Sequence, residues 1–303
     1  MSAKRKIATV GMFDGVHSGH RFLIEQLKAE GTQRDMETLV ISFTQHPLAV
    51  IAPECAPAML STAEERKTMI LSTGVDECIL LDFDSKLQQL TAREFMSMCH
   101  DSHNVDMLVL GFNNRFGSDR LSDIADYQKE GEKVGITVMQ ATELPDMSSS
   151  IIRNLIIDKE IKKATEKLGY FYFLEGMVVK GKQIGRTIGF PTANLQPSTG
   201  KLIPPKGVYA TLVTLPNGEQ HPAMLNIGCR PTVDKNDAPI SIEANIFNFS
   251  GDLYDKTIKI HFLDFIREEQ KFNSLEELRN QIAIDKTAVQ KAYDSIINNR
   301  PSL

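Results

Sequence analysis

The chain is poor in features that mark secreted, membrane-spanning and nucleic-acid-binding proteins. Its four cysteines stand far apart without a CxxC pair, which argues against a zinc site and a dense disulfide framework. No stretch approaches the roughly 18 apolar residues of a membrane span, and the run Ile7–Val10 is too short for a signal peptide. The net charge of -5 offers no basic surface for nucleic acid. We therefore expect a cytoplasmic protein with no membrane or nucleic-acid partner.

The composition is that of a globular protein, and the length of 303 residues favours two domains. In the first half, strand-like runs alternate with helix-like segments, which favours an α/β fold with a mostly parallel sheet and helices on both faces. The predicted strands are Ile7–Val10, Leu39–Phe43, Glu77–Leu81, Met107–Leu110 and Thr137–Met139. The predicted helices are Arg21–Ala29, closed by Gly31, then Glu64–Leu71 and Arg93–Cys99.

The second half has successive strand candidates without intervening helices, which favours a small antiparallel barrel or sandwich. These strands are Phe171–Val179, Gly207–Leu215, His221–Ile227, Ile240–Phe247 and Thr257–Phe262. A helix with a capping box is predicted from about Ser274 to the end of the chain, and the segment Ser150–Leu168 is predicted to be helical. We expect a first domain over 1–157, a helical connector over 158–168 and a second domain over 169–303.

The turn Gly11–His20, with the sequence GMFDGVHSGH, lies between the first predicted strand and helix. Ligands of open α/β sheets bind at this position, beyond the carboxyl ends of the strands. Its glycines allow close approach of the backbone, Ser18 is a candidate helix cap, and the free N–H groups of a helix start attract anions. His17 and His20 can both direct N–H donors at the same phosphate. The alternative is an ordinary glycine-rich turn with two surface histidines.

A second glycine-rich segment, Gly176–Leu195, ends in Pro191-Thr192-Ala193-Asn194. The hydroxyl of Thr192 and the amide oxygen of Asn194 are hard donors suited to Mg²⁺ shared with nucleotide phosphates. Taken alone, the four residues favour a simple turn over a metal site. His100 and His103 are interpreted as surface loop residues, because no acidic or cysteine partner stands at ligand spacing.

The first-half motifs resemble those of known nucleotidyltransferases. The HxGH spacing at 17–20 resembles the superfamily signature, and the longer GxFDGxHxGH string resembles its flavin-nucleotide branch. Four further segments are similar to that branch: a strand end in His-Pro, a helix-opening segment, a glycine-containing loop, and a serine-rich segment ending in arginine. They are Ser42–Pro47, Leu60–Lys67, Gly111–Gly117 and Ser148–Arg153.

The second half resembles riboflavin kinases. The string Gly-Arg-x-x-Gly-Phe-Pro-Thr-Ala-Asn-Leu at 185–195 is similar to their signature, and four later segments resemble their remaining motifs. Those are Pro205–Tyr209, Asn226–Thr232, Gly251–Tyr254 and Ile266–Phe272. The order of motifs resembles the bifunctional riboflavin kinase/FMN adenylyltransferases. The resemblance implies a Rossmann-like nucleotidyltransferase domain followed by a small β-barrel domain with a C-terminal helix.

The resemblance also implies which molecules and residues take part. ATP is the co-substrate with Mg²⁺ as cofactor, riboflavin is phosphorylated to FMN, and FMN is adenylylated to FAD with release of pyrophosphate. The implied catalytic residues are His17, His20, Arg153 and the kinase base Glu243, with Thr192 and Asn194 on the metal. Implied ATP or phosphate contacts are Gly11, Phe13, Asp14, Gly15, Ser18, Gly19, Ser149, Ser150, Gly181, Gly185, Arg186, Gly189 and Pro191. Implied flavin contacts are His46, Pro47, Asn113, Asn114, Phe116 and Arg267.

Several residues depart from the family patterns. Asn114 stands where an aromatic residue is usual, and Ser150 replaces threonine. Asn245 and Asn248 replace a commoner histidine and aspartate, and Asp255 stands where glycine is usual. Two alternatives follow: an intact kinase with an adenylyltransferase weakened at Asn114, or a non-enzymatic flavin or nucleotide sensor on the same scaffold. Glu243 could also be a solvent-facing residue on an edge strand. An oligomer is possible, but no sequence feature indicates one.

Overall fold

The computed structural model describes residues 4–112, 114–181, 185, 189–229 and 240–298. The chain forms two compact units, Met1–Ser149 and Ser150–Leu303. Among the described residues, no helix combines the length and the apolar character needed to cross a bilayer.

The first unit contains a five-stranded sheet in the order β3-β2-β1-β4-β5, and all its strands are parallel. The strands are β1 (Lys6–Val10), β2 (Glu37–Phe43), β3 (Glu77–Leu81), β4 (Val105–Leu110) and β5 (Thr137–Gln140). Its helices are α1 (Ser18–Arg34), α2 (Leu48–Ile51), α3 (Ala63–Leu71), α4 (Ser85–Gln89), α5 (Ala92–His103) and α6 (Ile124–Glu132). All five predicted strands and all three predicted helices are confirmed, whereas α2, α4 and α6 were not predicted.

Alternate residues of β1 pack into different hydrophobic clusters. Ile7 packs with Ile24 and Leu27 of α1, whereas Ala8 belongs to a cluster with Phe95 and Met96 of α5. Successive side chains of a strand point to opposite faces of the sheet, so the two clusters lie on its two sides. The prediction of helices on both faces is therefore confirmed.

Helix α1 differs from its predicted form at both ends. The side chain of His17, and not that of Ser18, caps its start by accepting from the backbone N–H of His20. Its end is formed by Asp35, which takes a left-handed φ of 52°. Gly31 lies inside the helix, where its missing side chain leaves room for the methyl group of Thr38 on β2. The prediction that Gly31 closes the helix was wrong. A glycine stands at this position because α1 packs closely against β2, and not because the helix ends there. His100 and His103 also lie on a helix, in the last turn of α5, and not on a loop.

The second unit begins with helices α7 (Ser149–Ile157, whose first residue belongs to the first unit) and α8 (Ile161–Leu168), in the segment predicted to be helical. Six antiparallel strands then form a closed barrel in the order β10-β7-β6-β11-β8-β9. They are β6 (Phe173–Val179), β7 (Ala193–Pro197), β8 (Gly207–Thr214), β9 (Gln220–Cys229), β10 (Ile240–Ile246) and β11 (Thr257–Arg267). Helix α9 (Leu275–Asn298) follows. Of the predicted barrel and sandwich, the barrel is confirmed, but β7 was not predicted because proline and threonine at 191–192 indicated a turn.

We predict that Gly31→Ala destabilises the first unit although alanine is the better helix former. The helix propensity of alanine would contribute about 1 kcal/mol. The new Cβ would lie 2.8 Å from Thr38 Cγ2 and 3.2 Å from the carbonyl oxygen of Met36. Overpacking of this kind costs about 1–3 kcal/mol, so we expect a net loss of about 1 kcal/mol in the free energy of unfolding by urea. In the Thr38→Ser background, which lacks Cγ2, Gly31→Ala should cost less; an equal cost in both backgrounds would rule out this contact.

Candidate active sites

The turn Gly11–His20 lies at the carboxyl end of β1, the central strand of the parallel sheet. The chain proceeds from β1 outward through β2 to β3 on one side and through β4 to β5 on the other. The ends of β1 and β4 therefore flank the point at which the strand order reverses, where ligands bind in sheets of this kind. The loop after β4 is tied to this place, because the Asn114 side chain donates to the carbonyl oxygen of Val10.

A buried carboxylate holds this turn in place. Asp14 is 1% exposed, and its carboxylate accepts from the backbone N–H groups of Leu60 and Ser61, both at 3.0 Å. Ser61 Oγ accepts from Gly15 N at 3.0 Å, and Ser149 Oγ donates to the carbonyl oxygen of Asp14 at 2.9 Å. The Asp14 side chain is thus occupied by the protein itself. Any contact of Asp14 with a phosphate has to come from its backbone.

The backbone of the turn is strained at two non-glycine residues. Phe13 has a φ of 52° and Val16 a φ of 37°, and a positive φ is unusual for a β-branched residue. Both side chains are buried in the cluster under α1, which holds them in this conformation. Phe13 therefore acts as a core residue whose ring also packs 5.1 Å from that of His20. Strain of this kind is found where a site requires a fixed backbone shape.

The two histidines of the turn stack on each other, with ring centroids 3.6 Å apart. His17 is 4% exposed, and burial lowers its pKa to about 4. Burial lowers the pKa of His20 well below its usual value as well, with further contributions from His17 and Arg66. His17 Nδ1 accepts from the backbone N–H of His20 at 3.4 Å, so the proton of the neutral ring is assigned to Nε2.

Among the described residues, His20 Nδ1 is buried and has no hydrogen-bond partner. A ligand at this site would supply that partner.

Arg66 is a residue of this site that was not in the predicted set. It is 1% exposed, its Nε donates to Ser42 Oγ at 3.1 Å, and its Nη2 donates to the carbonyl oxygen of Phe43. Ser42 Oγ in turn donates to the carbonyl oxygen of Met12 at 3.0 Å. Arg66 thus supports the turn from the end of β2. The signal that could have found it is its position in the segment Leu60–Lys67, which resembles the family as a whole.

The remaining predicted residues of the first site are placed as follows. His46 accepts from the backbone N–H of Leu48 through Nδ1 at 3.1 Å, next to Pro47 at the start of α2. Phe116 packs against Phe95 and Tyr127, with ring centroids 5.0 and 4.8 Å away. Asn113 lies outside the described residues. Ser150 and Arg153 lie on α7 in the second unit, where Arg153 Nη1 donates to Ser150 Oγ at 3.4 Å.

In the second unit the barrel register brings Glu243 of β10 between two neighbouring strands. Glu243 is paired with Asn194 of β7 on one side and with Asn226 of β9 on the other. Its Oε1 accepts from Ser241 Oγ at 2.7 Å, and its Oε2 accepts from Thr192 Oγ1 at 3.3 Å. Because β10 has a partner on each side, Glu243 does not lie on an edge strand.

The residues predicted to bind Mg²⁺ fit that ion by their chemistry. Thr192 and Asn194 offer a hydroxyl and an amide oxygen, both hard oxygen donors, and the Glu243 carboxylate beside them adds negative charge. Asn194 is 6% exposed, and a Cβ on Gly181 would lie 2.6 Å from its Oδ1, so Gly181 leaves the space that this amide needs. Next to them, the Pro191 carbonyl oxygen accepts from Asn245 Nδ2 at 2.7 Å.

Two cavities meet at Thr192. One, of about 300 Å³, is lined by Glu243, Arg267 and apolar side chains from the barrel and α9. The other, of about 590 Å³, is lined by Pro191 and by residues 249–254. Gly185 lines the first cavity, and Gly189 takes a φ of 85° that favours glycine. Arg186 lies outside the described residues.

Comparison with known proteins also divides the chain into two parts, with a boundary between residues 154 and 168. The FAD synthetase family model matches residues 1–154, and the riboflavin kinase family model matches residues 168–293. The bifunctional riboflavin kinase/FMN adenylyltransferase of Escherichia coli K12 is 36% identical over 294 residues, which are 95% of this chain and 92% of that protein. The chain belongs to this family. The protein of the same name from Bacillus subtilis is 32% identical over 96% of this chain and 94% of its own.

A solved structure extends the likeness to the whole fold. The crystal structure of a macrolide-efflux protein from Streptococcus pneumoniae is 30% identical and has a TM-score of 0.85. The matched region covers 96% of this chain and 95% of the Streptococcus pneumoniae chain. As a member of the bifunctional family, the chain phosphorylates riboflavin to FMN with ATP and adenylylates FMN to FAD.

The structure gives reasons for three departures from the family patterns. Asp255 takes a φ of 59° and Asn248 a φ of 55°, a region that glycine favours and that aspartate and asparagine tolerate better than most residues. Asn245 is 7% exposed and uses its amide to hold the Pro191 carbonyl, so it fixes the segment before β7.

The pKa of His17 predicts a loss of stability in mild acid. Its pKa is lowered from 6.5 to about 4 in the folded protein, so protonation favours the unfolded chain. The stabilisation is complete above pH 6.5 and is lost as the pH falls from there towards 4. Between about pH 7.5 and about pH 5 this one group should account for about 2 kcal/mol.

Urea unfolding at these two pH values measures the difference. His17→Gln, which cannot be protonated, should lose less free energy of unfolding between them than the wild type. His103→Gln, on the last turn of α5, is the matched control. Equal losses in the wild type and in His17→Gln would show that His17 is not held neutral by burial.

Proposed function

We propose that the two reactions take place at two separate sites of this chain. The turn Gly11–His20 transfers AMP from ATP to FMN, and the barrel site around Thr192 and Glu243 phosphorylates riboflavin. The observation that best supports the kinase assignment is that Ser241 and Thr192 donate to the Glu243 carboxylate at the wall of a cavity, next to Asn194 on the neighbouring strand. The cytoplasmic location stays a prediction from the sequence.

Adenylyl transfer needs no protein nucleophile. A phosphate oxygen of FMN attacks the α-phosphorus of ATP, the bond to the β-phosphate oxygen breaks, and pyrophosphate leaves. The work of the site is to position the reactants and to stabilise the negative charge that develops. The neutral rings of His17 and His20 can donate N–H groups to phosphate oxygens, and an approaching anion would favour their protonation. Gly11, Gly15 and Gly19 allow the backbone to come close, and the start of α1 adds free N–H groups.

Ser149, Ser150 and Arg153 are proposed to hold phosphates of the same reaction. Ser149 supports this assignment most directly, because its hydroxyl already bonds to the backbone of Asp14. His46, Pro47 and Phe116 are proposed for the flavin side, together with Asn113. Asn114 uses its amide to bond Val10, so in this role it fixes the loop and does not replace an aromatic face.

In the kinase reaction the proposed role of Glu243 is general base. The 5′-oxygen of the ribityl chain attacks the γ-phosphorus of ATP, ADP leaves, and the hydroxyl proton passes to the Glu243 carboxylate. The hydroxyls of Ser241 and Thr192 hold that carboxylate in one orientation. The larger cavity beside Pro191 is proposed for ATP, with Gly181, Gly185, Arg186 and Gly189 around its phosphates.

Mg²⁺ is proposed as the cofactor at the barrel site. Thr192 and Asn194 would hold it. When bound, the ion neutralises charge on the phosphates of ATP.

The proposal predicts that Glu243→Gln abolishes one activity and spares the other. The amide keeps the shape of the side chain but cannot accept the hydroxyl proton. With riboflavin, ATP and Mg²⁺, we expect FMN formation to fall by about 10²–10⁴-fold. With supplied FMN, FAD synthesis should stay at the wild-type rate. Chromatography of the flavins measures both.

The matched control is Glu219→Gln, in the exposed turn between β8 and β9, which should retain both activities. If Glu243→Gln lost FAD synthesis from supplied FMN as well, the two sites would not be separate. If it kept normal FMN formation, Glu243 would not be the base.

A further inference from the structure

The cavity of about 300 Å³ beside Glu243, which we assign to riboflavin because the larger cavity is proposed for ATP, contains a buried carboxylate that the proposed chemistry does not use. Asp285 of α9 is 2% exposed and lines the cavity of about 300 Å³ that also holds Glu243 and Arg267. Its oxygens accept from Arg267 Nε at 2.9 and 3.1 Å and from Arg267 Nη2 at 2.7 Å. Gln281, one turn earlier on α9, donates to Asp285 Oδ1 at 2.8 Å.

These contacts fix the Arg267 guanidinium in one plane. A forked pair between arginine and a carboxylate restricts rotation as well as position. Arg267 Nη1 donates to the carbonyl oxygen of Glu268 at 2.8 Å, and the ring of Phe272 lies 5.9 Å from Arg267 Cζ. A guanidinium has five N–H groups. The bonds to described residues use Nε and one hydrogen on each Nη, which leaves one N–H on each Nη for a ligand.

The charges around the cavity explain why Arg267 needs this partner. Glu243 and Glu269 line the same cavity and would compete for an unpaired guanidinium. An ion pair between Arg267 and Glu243 would occupy the proposed base. Asp285 compensates the positive charge from the opposite element, α9, and leaves the guanidinium as a donor to an uncharged ring system.

We infer that Asp285 is a positioning residue for riboflavin binding: it holds Arg267 so that its remaining N–H groups meet polar atoms of the isoalloxazine ring. The inference rests on the proposed assignment of this cavity to riboflavin. With this role of Asp285, helix α9 becomes part of the kinase site. Asp285 then acts on the binding of riboflavin and not on the phosphates of ATP.

The test measures riboflavin and ATP dependence of FMN formation in Asp285→Asn. We expect the KM for riboflavin to rise about tenfold, equivalent to about 1.4 kcal/mol. The KM for ATP should stay unchanged, because ATP does not contact Arg267 in this arrangement. Asp294→Asn is the matched control, since Asp294 accepts from Gln290 one turn earlier on the same helix but is exposed. A loss of folding would instead lower kcat in proportion to the active fraction.

A double-mutant cycle with Arg267→Ala shows whether Asp285 acts through Arg267. Asp285→Asn should add no further increase in the riboflavin KM to that of Arg267→Ala. Additive effects, or an unchanged KM in Asp285→Asn, would overturn the inference. An unchanged riboflavin KM in Arg267→Ala would instead overturn the assignment of the cavity to riboflavin.

A second variant covers the case in which Asp285→Asn does not fold. Asp285→Glu keeps the charge that Arg267 requires but shifts the carboxylate by one methylene group. Its riboflavin KM should lie above that of the wild type, with FAD synthesis from supplied FMN unchanged. A wild-type riboflavin KM in Asp285→Glu would overturn the inference.

Discussion

The carboxylate of Asp14 accepts hydrogen bonds from the backbone of Leu60 and Ser61 and so fixes the turn Gly11–His20 against the start of α3. The same turn contains Phe13 and Val16 at a positive φ, and the burial of both side chains under α1 holds them there. Because the turn is fixed, His17 and His20 stack on each other and stay buried. This burial lowers the pKa values of both histidines. Two neutral imidazoles at the start of a helix can donate to an anion without first losing a bound counterion.

The barrel site is built on the same principle with different groups. There the Asn245 amide holds the Pro191 carbonyl, and the closed barrel sets Glu243 beside Asn194 and Asn226. In both proposed sites a side chain that bonds to the backbone fixes the segment that carries the proposed reactive groups. In the same way Asp285 holds the guanidinium of Arg267, which we propose as a contact of riboflavin.

The sequence predicted the strands of the sheet and most strands of the barrel because their apolar runs are continuous or bounded by clear turns. It could not predict β7, since Pro191 and Thr192 look like a turn until β6 and β10 pair with the residues that follow. Motifs located Glu243 and the histidines, but they could not show that the Asp14 carboxylate is used inside the protein. Arg66 and Asp285 were missed for a related reason: their partners are distant in sequence, and only folding brings them together.

The central claim is that one chain carries two separate reactions connected by FMN. Mixing two single-site variants tests it most directly. His20→Ala should make FMN from riboflavin but no FAD, and Glu243→Gln should make neither. An equal mixture with riboflavin, ATP and Mg²⁺ should form FAD, because FMN released by one variant is adenylylated by the other. Accumulation of FMN without FAD in the mixture would contradict the claim that each site works without the other.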